Sequence, residues 1–140
     1  MDKSFRNFLD TYLASWRSSN LADLAGIIAE DYQAREIRNG EIVDFGYGES
    51  LSGWEQGFKY VLDHNGHWQI AEISTVTLRE RERLVIFCVT LVIDGKAIGT
   101  GSLFFQTFKQ DYMNTWKLIR SYIETGIPAQ YVKEIQPASN

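Results

Sequence analysis

The chain has 140 residues and a formal net charge of −4, a length at which one domain buries roughly 68–70% of its unfolded surface and a second would have no core of its own. Apolar residues make up 44% and charged residues 23%, which is too hydrophobic for a disordered chain. An isoelectric point near 5.2, with no face that collects Lys and Arg, excludes nucleic acid as a partner, and no window is long and apolar enough for a bilayer-spanning helix.

Phe5, Phe8, Leu9, Tyr12, Leu13 and Trp16 recur at helical spacing behind Ser4, a good N-cap, and predict a first amphipathic helix ending near Ser18-Ser19. Asn20 caps a second, short helix with Asp23 at the capping-box position and Leu21, Leu24, Ile27 and Ile28 on its apolar face. Tyr32 to Arg38 reads as a strand, Asn39-Gly40 as a tight hairpin turn, and Glu41 to Phe45 as the antiparallel return. Gly46 to Ser50 reads as a flexible loop with an aromatic tip, and Ser52 as the cap of a third helix carrying Trp54, Phe58, Val61 and Leu62 up to Asn65-Gly66.

Everything beyond is strand: Trp68 to Arg79, Leu84 to Ile93, Ala97 to Lys109 and Thr115 to Glu124, an antiparallel meander by its short connections. Leu84 to Ile93 is apolar on both faces, so both need cover, one by helices and the other by a second subunit. The reading is an α+β domain over residues 1–126, with three helices in the N-terminal half packed on a strongly curved antiparallel sheet. A tail follows at 127–140, in which Tyr131, Val132 and Ile135 form one docked turn and the rest is frayed.

Few residues offer chemistry by pattern. His64 and His67 flank a helix end without a third ligand, so no metal is read there. Gly99-Thr100-Gly101 lies within a strand pattern, where a bulge is the better account than a nucleotide loop, and no cofactor motif is found. The alternating run Arg79 to Arg83 keeps a turn soluble. The lone Cys88 sits in a strand core, and with no secretion signal at Met1 to Phe5 the expected location is cytoplasmic. Aromatic residues reach 14%, including four Trp, enough either to line a concave ligand site or to fill a small core.

The stretch Tyr12 to Asp31, with Trp16, Asn20, Leu21, Leu24, Ile27, Ile28 and Glu30, resembles the first helix, polar turn, second helix and acidic exit of the nuclear transport factor 2-like superfamily. Trp116, Leu118 and Ile119 resemble its closing strand. That superfamily includes ketosteroid isomerases and polyketide cyclases. The resemblance covers nearly the whole chain and implies a cone whose helices close one end of a bent sheet around a pocket, commonly in a homodimer. Against the isomerases, Tyr12 falls at the oxyanion donor and Glu36 at the carboxylate base, a pairing that suits proton transfer α to a carbonyl. Phe104 falls where that family keeps a second, protonated acid, and Phe104 donates nothing.

If Phe104 faces the pocket, alternation sends Ser102, Gln106 and Phe108 the same way, with Trp16 and Trp54 on the helical side. Two readings of the residues stay open. Glu36 between Arg35 and Arg38 is a base or a surface ion pair, and Tyr12 is a donor or a packed ring bonded to backbone. The first functional expectation is a pocket for a small apolar or amphipathic molecule, with or without proton-transfer chemistry. The second is a non-catalytic dimerisation or accessory module whose pocket is filled by its own side chains.

Overall fold

The computed structural model describes residues 2–135. Helix α1 (Lys3–Arg17) is followed by α2 (Leu21–Ile27), strands β1 (Ile28–Arg38) and β2 (Glu41–Gly46), helix α3 (Tyr47–Asp63), strands β3 (Gly66–Arg79), β4 (Glu82–Ile93), β5 (Lys96–Gln110) and β6 (Trp116–Pro128), and the turn α4 (Ala129–Val132). One six-stranded sheet runs in the order β2-β1-β6-β5-β4-β3. The meander β3 to β6 is antiparallel, but β1 lies parallel to β6. The sheet is therefore mixed, which corrects the all-antiparallel expectation. With α3 and four strands between them in the chain, β1 and β6 have the long connection a parallel pair needs.

The apolar stripe of α1 explains the core. Phe5, Leu9, Tyr12 and Trp16 have no exposure at all, and Phe5 meets Phe108 and Trp116 of the sheet at ring separations of 5.7 and 4.8 Å. Arg6, on the neighbouring side of α1, clamps Glu72 of β3 with two hydrogen bonds of 2.8 and 2.5 Å, fixing the helix along the sheet. The cap of α1 is Asp2, whose carboxylate accepts from the Ser4 backbone N–H, and not Ser4 itself. The Ser4 hydroxyl accepts from the Trp116 indole instead. Asn20 caps α2 by accepting from the Asp23 N–H at 3.1 Å.

A second correction concerns Gly46 to Ser50, which is no loop: α3 begins at Tyr47. The Glu49 carboxylate accepts from the Gly46 N–H, and the Tyr47 hydroxyl donates to the Ala25 carbonyl, so the first turn is held at both sides in spite of its two glycines. The turns at Asn39-Gly40 and Asp94-Gly95 have positive φ at both residues, near 50° and 80°, the left-handed pair a two-residue hairpin requires. Between Thr90 and Val92 the register against β5 slips, leaving Ile98 to Thr100 opposite Leu91, a bulge in the glycine segment. A Cβ on Gly101 would meet Val132 of α4 at 2.9 Å, so that glycine lets the C-terminal turn close onto the sheet. The tail expectation over 136–140 lies outside the described residues.

Candidate functional site

Alternation along the strands divides the sheet into two faces. Val85, Phe87, Val89, Phe104, Gln106, Phe108, Ser121 and Ile123 turn toward the helices, and Leu84, Ile86, Phe105, Thr107 and Tyr122 turn away. On the helical side, between α3, the β1–β2 hairpin and β5, lies a cavity of about 680 Å³, within the size range of small-molecule sites. Its apolar lining is Val43, Phe45, Trp54, Trp68, Phe104 and Ile123, and Glu36, Arg38, Glu49, Ser52 and Gln56 add polar groups. Along α3 the wall is made by Ser50, Gly53 and Gly57, spaced three and four residues apart on one helical face. Gly53 is exposed, and a Cβ built on it meets nothing within 4 Å.

At its base the cavity meets a buried polar network. The Tyr12 hydroxyl donates to Gln106 Oε1 at 2.7 Å, Gln106 Nε2 donates to Ser121 Oγ at 3.4 Å, and the Tyr32 hydroxyl donates to the same oxygen at 2.7 Å. Ser50, buried on α3, lines the cavity beside Tyr32. Burial pushes the Tyr32 phenol up to about 12 and holds that of Tyr12 further above the ordinary range, since a phenolate there would lose its hydration. Both phenols are therefore neutral donors at physiological pH.

Glu36, Trp54, Phe104 and Gln106 all line this cavity. Glu36 is ion-paired through Arg38 Nε, its side chain 17% exposed and that of Arg38 55%; both residues lie in the cavity wall. Tyr12, Trp16, Ser102 and Phe108 are not among the lining residues. Gln106 stands between Tyr12 and the cavity. Trp16 backs the wall, with ring separations of 4.9 Å to Trp54, 5.1 Å to Phe104 and 6.3 Å to Trp68. Its indole N–H has no hydrogen-bond partner among the described residues. Phe108 packs with Phe5, Phe8 and Tyr12 in the core. His64 stacks on Tyr60 at 4.1 Å, at the outer end of α3.

Tyr32, Ser50, Ser121 and Trp68 carry no signal in the sequence that marks them as site residues. The pairing of Ser121 with Gln106 follows from the β5–β6 register, which strand alternation alone does not give. A second recess, about 930 Å³, opens on the other face of the sheet beside Arg35, Asp44, Phe105, Arg120 and Tyr122. It is larger, and Tyr32 and Ser121 line it too, but its ionic groups are surface pairs such as Arg35 with Asp44, and Glu36 and Gln106 line the smaller cavity.

N-terminal helices laid over one face of a six-stranded mixed sheet, with a cavity between, define the NTF2-like, cystatin-like α+β class. No family model and no curated protein sequence matches the chain. Among solved structures, an uncharacterised cystatin-like-fold protein from Caulobacter vibrioides superposes with a TM-score of 0.68 at 12% identity, over 94% of this chain and 93% of that one. An NTF2-like protein of unknown function in nutrient uptake from Rhodospirillum rubrum gives 0.64 at 16%, over 91% and 100%. One from Pseudomonas putida, also NTF2-like and of unknown function, gives 0.66 at 8%, over 97% and 92%. At such identities the likeness is one of fold.

Proposed function

We propose that the cavity between α3 and the sheet binds a small apolar or amphipathic molecule. One observation carries this reading: a space of about 680 Å³ with aromatic and aliphatic walls ends on a polar network whose members are otherwise buried. Sites for small organic molecules combine such walls with a few convergent polar groups. A module with a self-filled pocket would have side chains in that volume, and a space of this size favours the binding reading.

Proton-transfer chemistry is the finer part of the proposal. Glu36 on β1 and Gln106 on β5 are separated by one strand and two register positions, about 12 Å between Cα atoms from the usual strand spacings. Side chains reaching inward from both leave room for a ring-sized molecule between a carboxylate and an amide donor. Tyr12 then acts through Gln106 and does not touch the ligand. No resident cofactor enters this scheme.

A homodimer through the outer sheet face accompanies the proposal. Val76, Leu78 and Tyr122 there are 42%, 40% and 38% exposed, and Leu84, Ile86 and Phe105 lie half-buried among them. Four strands about eight residues long present roughly 500 Å² before side-chain relief is counted, against ~800 Å² per partner in a standard interface. The single free Cys88 accords with a reducing, cytoplasmic setting.

The test is native mass spectrometry of gently purified protein, then extraction and identification of what it carries. A stoichiometric small molecule that is lost in Gly53→Phe, which fills the open space, supports the binding reading. A tight dimer that is empty and takes up no apolar probe would move the assignment to the accessory module.

A further inference from the structure

Gln106 is 1% exposed, lines the cavity and accepts from a phenol 94 residues earlier in the chain. The direction in which its amide points follows from its contact with the stronger donor beside it, the phenol of Tyr12. Tyr12 is wholly buried and has one proton to give, and Gln106 Oε1 is the acceptor found for it among the described residues. Turning the amide around would set its NH₂ against the hydroxyl and leave the phenol proton without an acceptor, a penalty of about 1–3 kcal/mol. The oxygen therefore faces Tyr12, and the nitrogen faces Ser121 and the cavity.

That nitrogen carries two protons. One makes the long 3.4 Å contact to Ser121 Oγ, which already accepts from Tyr32 at 2.7 Å. No acceptor for the other is found among the described residues. The cavity base thus offers an N–H whose orientation is set from behind, beside the aromatic wall of Trp54, Trp68 and Phe104.

We propose that Gln106 is the recognition residue of this cavity and selects ligands that present an acceptor oxygen, above all the neutral carbonyl of an aldehyde, ketone or ester, on an apolar body. The inference rests on the reading of the cavity as a ligand site. A hydrocarbon of the same shape leaves the amide proton unpaired, and a group that only donates meets another donor. A carboxylate head would surrender its hydration at this buried base, a cost that a neutral carbonyl avoids, and the cation in the lining, Arg38, is already paired with Glu36. The acceptor preference resides in the orientation, so Tyr12 is a positioning residue for it.

The experiment measures equilibrium dialysis of 2-acetylnaphthalene and of 2-isopropenylnaphthalene, in which CH₂ replaces the carbonyl oxygen. Wild type, Gln106→Leu, Gln106→Met, Tyr12→Phe and Gly53→Phe are compared, each checked for folding by urea denaturation. The ratio of the two affinities cancels the greater hydrophobicity of the alkene between proteins. One neutral hydrogen bond predicts that the preference for the ketone falls about 5–10-fold in Gln106→Leu and Gln106→Met. It falls by a smaller factor in Tyr12→Phe, where the amide is free to turn. Gly53→Phe loses both compounds. A ratio unchanged in folded Gln106 variants overturns the role of Gln106 and leaves the binding cavity standing. Failure of wild type to take up either compound, or uptake untouched by Gly53→Phe, overturns the cavity reading and this inference with it.

Discussion

Replacing Gln106 by Leu removes the acceptor of the Tyr12 proton while keeping a side chain of similar length. The phenol, wholly buried at 2.7 Å from its partner, is then left unsatisfied, which costs about 1–3 kcal/mol. Replacing Tyr12 by Phe instead leaves Gln106 Oε1 without its donor, at a cost of about 1 kcal/mol. The double variant puts apolar atoms on both sides of the contact, and the Tyr32–Ser121 bond beside it persists on its own. The double variant should therefore be more stable than the sum of the singles predicts, by about 1–3 kcal/mol. With a urea m-value of about 2 kcal/mol/M, the Gln106→Leu midpoint falls by roughly 0.5–1.5 M, and adding Tyr12→Phe recovers most of it. If the two changes add within ~0.5 kcal/mol, the hydroxyl and the amide are not partners, and the orientation argued for Gln106 fails.

Three further perturbations have outcomes set by the same structure. Gly53→Ala adds a methyl to open space inside α3, so the helix-propensity gain of about 0.8–1 kcal/mol is uncompensated by a clash; thermal denaturation should show a rise of about 3 °C, and a fall would mean the space is occupied. Phe105→Glu puts a charge beside Ile86 and Tyr122 on the outer face, and sedimentation should find folded monomer, whereas a surviving soluble dimer would remove that face from the interface. In an alkaline titration followed at 295 nm, part of the tyrosine absorbance should rise late, since Tyr32 is pushed up to about 12 and Tyr12 is raised further. Because these folded-state values are raised, the stability they represent is present in full below the unfolded value of about 10 and is lost as pH climbs through the folded one. A single tyrosine transition near pH 10 in folded protein would refute their burial.

Local signals carried much of the architecture. Asn39-Gly40 and Asp94-Gly95 announce their turns because few residue pairs tolerate two left-handed positions in a row, and the aromatic stripe of α1 is visible because burial on one face imposes a helical period. The first turn of α3 was hidden by Gly46 and Gly48, which read as loop; what makes it helical is Glu49 reaching back to the Gly46 N–H and Tyr47 reaching α2. The parallel pairing of β1 with β6 has no local signature, since it joins residues some 90 apart, such as Ala34 and Ser121. Gln106 stood out as an amide on an otherwise aromatic strand face, and Glu36 through the resemblance to the isomerases. That Tyr12 spends its proton on Gln106 depends on a tertiary contact between α1 and β5, which neither segment encodes alone.

That contact also bears on what chemistry the cavity can sustain. A phenol pointing at the ligand, joined by a protonated acid, would give two donors to a developing enolate; here the phenol is engaged and Phe104 supplies a ring. What remains is one neutral amide N–H, and a single donor of this kind is worth about 10²–10³ in rate. An amide held from behind discriminates well between a carbonyl and its hydrocarbon isostere, because discrimination needs only that the mismatched ligand leave a buried donor unpaired. Stabilising an oxyanion asks for more donors than the base provides. The arrangement is accordingly better suited to recognition than to fast enolisation, and any turnover that depends on Glu36 should be slow, with Glu36→Gln removing it while leaving ketone binding in place.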